Sequence, residues 1–152
     1  MVSGSGPTPL AIWSNILPDI KTCLVELSRM SDRNLVFVVD DDPAILQNVA
    51  RLLRRFGYAC LLFPSAGAFT NHSDFDRAVC VLLDINLGDG SGIELRHRLK
   101  AAGNTVPVIY MTGNDTPAVR AAALQSGCLA YLTKPFSAQS LIEPLGRAAA
   151  LT

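Results

Sequence analysis

Five short apolar runs, each followed by a stretch of helical character, constrain this chain more than any other feature. Leu35–Val39, Tyr58–Phe63, Ala78–Leu83, Val106–Met111 and Leu129–Leu132 are continuous rather than alternating. Continuous runs of that length suit strands buried on both faces, as in a parallel sheet. Asp42-Pro43 supplies a helix cap and a first-turn proline. The helix they open puts Ile45, Leu46, Val49, Leu52, Leu53 and Phe56 on one face, with Arg51, Arg54 and Arg55 mostly outside it, and Gly57 ends it. A short helix is expected near Ser65–Asn71. The glycine-rich turn at Gly88–Gly92 leads into another near Ile93–Ala101. Asp115 or Thr116 caps the next, with Pro117 in its first turn, and a last helix starts near Ser137. Pro144 and Gly146 fall inside that last helix and predict a kink or a frayed end there. Such alternation predicts an α/β fold, with a parallel sheet and helices on both faces.

The chain has 152 residues, enough for one domain with a real core. Residues 33–152 form that domain and residues 1–32 an N-terminal extension. Residues 1–9 read as disordered. Ile20, Cys23, Leu24 and Leu27 recur at helical spacing after Pro18 and Asp19, which suits a short amphipathic helix. That helix reads as a docking or dimerising element, or as an extension of no consequence. Met30 suits a start, which would make residues 1–29 an over-extended one. Residues 1–18 carry no charged side chain, so no secretory signal is expected. No segment approaches the roughly 20 apolar residues of a membrane span. Lys plus Arg and Asp plus Glu each number 13, a balance with no overall drive toward nucleic acid or anionic membrane. The four cysteines, Cys23, Cys60, Cys80 and Cys128, form no C-x-x-C pair and read as reduced thiols of a cytoplasmic protein.

Chemistry-bearing residues stand where the runs stop: Asp40 and Asp41, Asp84, Thr112, and Lys134 with Pro135. The carboxyl ends of parallel strands form the crevice in which such sheets bind ligands. Three carboxylates gathered there raise one another's pKa, and a hard dication relieves the cost. Mg2+ takes oxygen ligands, usually one or two carboxylates together with phosphate oxygens. Asp42 is better explained as the helix cap and is left out of the metal set. Asp84 follows the apolar Val79–Leu83, where a carboxylate has little structural use. Beside a metal it can attack phosphorus and form an acyl phosphate. Thr112 offers a hydroxyl, Gly113 removes bulk beside it, and Pro135 restricts the backbone of Lys134 so that its ammonium points inward.

The blocks Val38-Val39-Asp40-Asp41-Asp42-Pro43, Leu82-Leu83-Asp84-Ile85-Asn86-Leu87, Val108-Ile109-Tyr110-Met111-Thr112-Gly113 and Tyr131-Leu132-Thr133-Lys134-Pro135-Phe136 closely resemble the receiver domain of bacterial two-component response regulators. The resemblance covers roughly residues 33–150. It implies a flavodoxin-like doubly wound sheet of five parallel strands, order 2-1-3-4-5, flanked by five helices. It implies that Asp84 accepts phosphoryl from a sensor histidine kinase or a histidine phosphotransfer protein. Asp41 would bind Mg2+ directly, Asp40 mainly through water, and Asn86 through its backbone carbonyl. Thr112 and Lys134 would hold the phosphoryl oxygens, and Tyr131 would turn inward in the active state. The last two helices and fifth strand would serve docking or a homodimer. Gly88 replaces a usual proline and Gly90 a frequent bulky residue, which implies a more mobile loop after Asp84.

Two other readings share parts of this pattern. Asp40-Asp41-Asp42, Thr112 and Lys134 also resemble a haloacid-dehalogenase-like phosphatase. That enzyme needs a later acidic pair, whereas Glu143 is the one acid after Lys134, and Asp84 would be left unexplained. A receiver-like module that never takes phosphate would not need the full acid–threonine–lysine set.

Overall fold

The computed structural model describes residues 34–72 and 77–151. The expected extension at residues 1–32 lies outside the described residues. The strands are β1 (Leu35–Val39), β2 (Ala59–Phe63), β3 (Cys80–Asp84), β6 (Val108–Thr112) and β7 (Ala130–Thr133). They form one parallel sheet in the order β2-β1-β3-β6-β7, which is the expected five-strand order with the numbering shifted. Two further strands, β4 (Asn86–Leu87) and β5 (Gly90–Ser91), make a small antiparallel ladder that the glycine-rich turn did not announce.

The five described helices are α1 (Pro43–Arg55), α2 (Ala66–Thr70), α3 (Gly92–Ala101), α4 (Pro117–Gln125) and α5 (Ala138–Ala150). Their starts follow the chemistry of the orphan first-turn N–H groups. Asp42 accepts from Ala44, Ser65 from Ala68, Ser91 from Ile93, Thr116 from Val119 and Ser137 from Ser140. Thr116, not Asp115, caps α4. Gly57 follows the end of α1 at φ 87°, a backbone that glycine adopts without strain.

β1, β2, β3 and β6 are buried along their whole length, as continuous apolar runs require. Phe37 on β1 meets Phe63 and Phe69 edge-to-face at centroid distances of 5.7 and 6.0 Å. Each such pair adds about 0.5–1.5 kcal/mol beyond its buried area.

Two expectations need correction. Phe56 is 47% exposed, because it sits past the last turn of α1 and no longer follows that helix's buried face. Of the kink or frayed end expected at Pro144, the frayed end is absent, because α5 runs on to Ala150. Leu141, Pro144, Leu145 and Ala148 are all buried, so packing of that stripe outweighs the lost N–H and the low helix propensity of Gly146.

Candidate functional site

The sheet delivers its functional groups to one edge. β3 is the central strand and Asp84 is its last residue. β1 stops at Val39, and the N–H of Asp40 continues the ladder to the Phe63 carbonyl at 3.1 Å. Asp40 is fully buried. Its Oδ1 accepts from the Asp42 N–H at 2.9 Å and its Oδ2 from Lys134 Nζ at 2.7 Å. Lys134 Nζ also lies 3.4 Å from Asp84 Oδ2. Asp84 Oδ1 accepts from the Asn86 N–H at 3.3 Å. Asp41 is exposed, yet one carboxylate oxygen from each of Asp40, Asp41 and Asp84 falls within 4.8 Å of the others. The acids predicted for the metal thus come together with Lys134.

Thr112 ends β6 and is fully buried. Its Oγ1 accepts from the Asn114 N–H at 3.0 Å, and its carbonyl accepts from the Lys134 N–H at 2.7 Å. A Cβ on Gly113 would meet nothing within 4 Å, so the space beside Thr112 is open. Pro135 follows Lys134 through a cis bond and lines an apolar groove of about 170 Å3 beside the ammonium. Ile45, Val49, Leu52 and Phe136 line it as well.

Three carboxylates around one ammonium leave the cup acid-rich. Burial, and then the charge of Asp40, push the Asp84 carboxyl up to about 6, although Lys134 pulls the other way. Burial disfavours the Lys134 ammonium. The hydrogen bond and charge of Asp40, with Asp84 behind it, more than offset this and hold its pKa above the usual lysine value. A hard cation with oxygen ligands would relieve the same excess of negative charge, and the donor set is all oxygen.

Tyr131 does not enter the cup. Its hydroxyl donates to Asp115 Oδ1 at 2.9 Å, and Arg120 lies over its ring at 5.1 Å. Arg120 Nη2 closes the triangle on Asp115 Oδ2 at 2.6 Å. The arginine bond, then the tyrosine bond, keep the Asp115 carboxyl below its ordinary range. In sequence Asp115 stands only as one of two candidate helix caps, beside Thr116, and nothing there singles out Arg120. A pair five residues apart matches no helical spacing, and Tyr131 is 16 residues away from Asp115. Asp89 was passed over as well. Its two oxygens accept the N–H groups of Ala66 and Gly67, each at 3.0 Å. Asp89 thus ties the loop after Asp84 to the start of α2.

Comparison with known proteins identifies the family and the fold. The family model of the response regulator receiver domain matches residues 36–145. The response regulator protein TodT of Pseudomonas putida is 30% identical over 133 residues, which cover 87% of this chain and 59% of TodT. The chain thus spans little more than half the length of such curated relatives. A CheY-like receiver domain protein from Methanospirillum hungatei, of known structure, matches with a TM-score of 0.67 at 27% identity, over 78% of this chain and 94% of its own. The BeF3-activated receiver domain of DrrB matches with a TM-score of 0.67 at 27% identity, over 80% and 99%. The stretch 36–145 holds Asp40, Asp84, Thr112 and Lys134 together, which favours the receiver resemblance over the phosphatase one.

Proposed function

The chain belongs to the response regulator receiver family, and from that membership we propose that Asp84 is the acceptor of a phosphoryl group donated by a partner's phosphohistidine. The observation that carries this reading is the meeting of Asp84 with Asp40, Asp41 and Lys134 at the end of the central strand. An Asp84 oxygen attacks phosphorus, the phosphorus–nitrogen bond to the donor imidazole breaks, and the imidazole keeps the electron pair and takes up a proton. The product on this chain is an acyl phosphate. Lys134 lies close enough to Asp84 to balance the charge on the transferred oxygens. Asp41, Asp84 and the Asn86 carbonyl would hold Mg2+, with Asp40 mainly behind a water. The ion supplies neutralisation of the phosphoryl oxygens in transfer. The domain signals rather than turning over a substrate, and it catalyses only its own phosphorylation and dephosphorylation.

The donor is a sensor histidine kinase or a histidine phosphotransfer protein in the cytoplasm. The apolar groove beside Lys134 offers such a protein a seat next to the acceptor. Output passes by protein contact rather than by direct binding to nucleic acid or membrane. A homodimer through α4, β7 and α5 belongs to the same reading, and α4 carries one exposed large apolar side chain, Leu124. The test is incubation with acetyl phosphate and Mg2+. The protein should gain one acid-stable, base-labile phosphoryl group, and an Asp84→Asn variant none. Turnover of small phosphomonoesters that depends on Asp40 would overturn the reading in favour of a phosphatase.

Thr112 and Tyr131 form the switch, with Gly113 and Pro135 supporting their loops. Phosphorylation biases a two-state equilibrium by drawing Thr112 toward the new oxygens and freeing room for the Tyr131 ring. The Asp115–Arg120 clamp opposes that movement by holding the ring in its present place. Arg120→Ala should therefore shift the Tyr131 ring resonances toward those of the beryllofluoride-treated wild type before any beryllofluoride is added. Resonances that stay at the untreated wild-type positions would count against the clamp.

A further inference from the structure

We propose that Asp89 is a positioning residue for phosphoryl acceptance, latching the loop after Asp84 to the start of α2 so that the metal-binding edge of the cup keeps its shape. This rests on the reading of Asp84 as the acceptor. The base of the loop is packed, since Ile85 and Leu87 are buried. Its tip is not. Gly88 and Gly90 bring no side chain, and a Cβ at Gly90 would meet nothing within 4 Å. Between them, Asp89 ties the tip to a segment more than twenty residues earlier, through Ala66 N–H to Oδ1 and Gly67 N–H to Oδ2, each at 3.0 Å.

The donors explain why an aspartate suits this position. The first N–H groups of a helix have no intrahelical partner. Ser65 takes that of Ala68 at 3.0 Å, which leaves those of Ala66 and Gly67 to an outside acceptor. One carboxylate satisfies both, with charge-assisted bonds stronger than neutral ones. Those two bonds also hold the Asp89 carboxyl below its ordinary range. A Cβ on Gly67 would stand 3.4 Å from Asp89 Oδ2, so glycine there leaves the carboxylate its room.

The latch reaches the cup through the neighbouring residues. The Cβ position of Gly88 lies 3.5 Å from Asp41 Oδ2. Asn86, whose carbonyl is the proposed metal ligand, pairs with Ser91 in the β4–β5 ladder that closes across Asp89. Moving the tip therefore moves both the wall beside Asp41 and the ladder that carries Asn86.

Two variants separate the latch from simple charge. Asp89→Ala removes the carboxylate. Ala66→Pro keeps the Asp89 charge and deletes one donor, at a first helical position that accepts proline, after a Ser65 already extended at ψ 163°. Asp89→Ala should weaken Mg2+ binding about tenfold by titration calorimetry, the scale of lost outer support at a metal site. Ala66→Pro should lose part of the same affinity. In both, acetyl phosphate labelling should slow at limiting Mg2+ and return to the wild-type rate at saturating Mg2+. Unchanged Mg2+ affinity in Asp89→Ala beside a wild type that labels normally would overturn this proposal alone. So would a loss in Asp89→Ala that Ala66→Pro does not share, since that marks a charge effect. A wild type that takes no phosphoryl group overturns the acceptor reading and this one with it.

Discussion

Asp84→Asn is expected to melt higher than the wild type at pH 8 without metal, while losing all capacity to take up phosphoryl. The Asp84 carboxyl stands at about 6, above its ordinary value, mainly through burial and then the nearby Asp40 charge. A carboxyl raised on folding favours the folded state fully below its unfolded pKa, and that contribution is lost as pH rises through the folded value. The wild type should therefore lose stability between about pH 4 and pH 7, by about 3 kcal/mol. Asparagine has the same shape and no charge to bury. Its advantage should vanish near pH 4 and reach on the order of 10 °C in melting temperature at pH 8. Lys134 keeps its bond to Asp40 in the variant, so no ammonium is stranded. Mg2+ should narrow the gap by stabilising the ionised wild type. Thermal melts at pH 4 and pH 8, with and without Mg2+, check this. A variant that melts below the wild type at pH 8 in chelator would sink the account of a charge-burdened cup.

Gly92→Ala should destabilise the fold by about 3 kcal/mol, the upper part of the range for overpacking. Gly92 opens α3, and its N–H donates to the Ile85 carbonyl at 2.8 Å. A Cβ there would collide with the carbonyl oxygen of Asp84 and stand 3.1 Å from Leu83 Cγ. The obstructing atom is backbone at the end of the central strand, so no side-chain rotation removes the clash. The helix start and the Asp84 peptide would have to part, which should slow phosphorylation too. Gly90→Ala, two residues earlier and facing open space, should stay within about 0.5 kcal/mol of wild type. Urea unfolding midpoints of the two variants test the pair. Equal losses would show that glycine content, rather than the approach to Asp84, sets the requirement.

The parts of the fold that were legible in sequence are those in which one physical rule acts over a short stretch. A strand covered on both faces carries few polar side chains before it ends, so Asp84 and Thr112 mark their own positions, while Tyr110 inside β6 needs Ser126 to satisfy its hydroxyl. Asp42 declares itself a cap by standing before Pro43, and it does accept the Ala44 N–H. What stayed hidden depends on closure in space. Nothing local links Asp89 to Ala66 and Gly67, or Tyr131 to Asp115, because those partners meet only once strands and helices have docked. Pro144 misled for a related reason. Propensity is a weak local term, and a helix pressed onto a sheet along Leu141, Leu145 and Ala148 overrides it.

β7 is an outer strand with a single neighbour, and its residues are less deeply covered than those of β3. It carries Tyr131 and leads straight into Lys134, whereas Asp84 ends the strand braced from both sides. Chemistry written at the doubly flanked middle would thus be read out at the singly flanked rim. A listener could rest on that rim and respond to the message without ever approaching the labile bond.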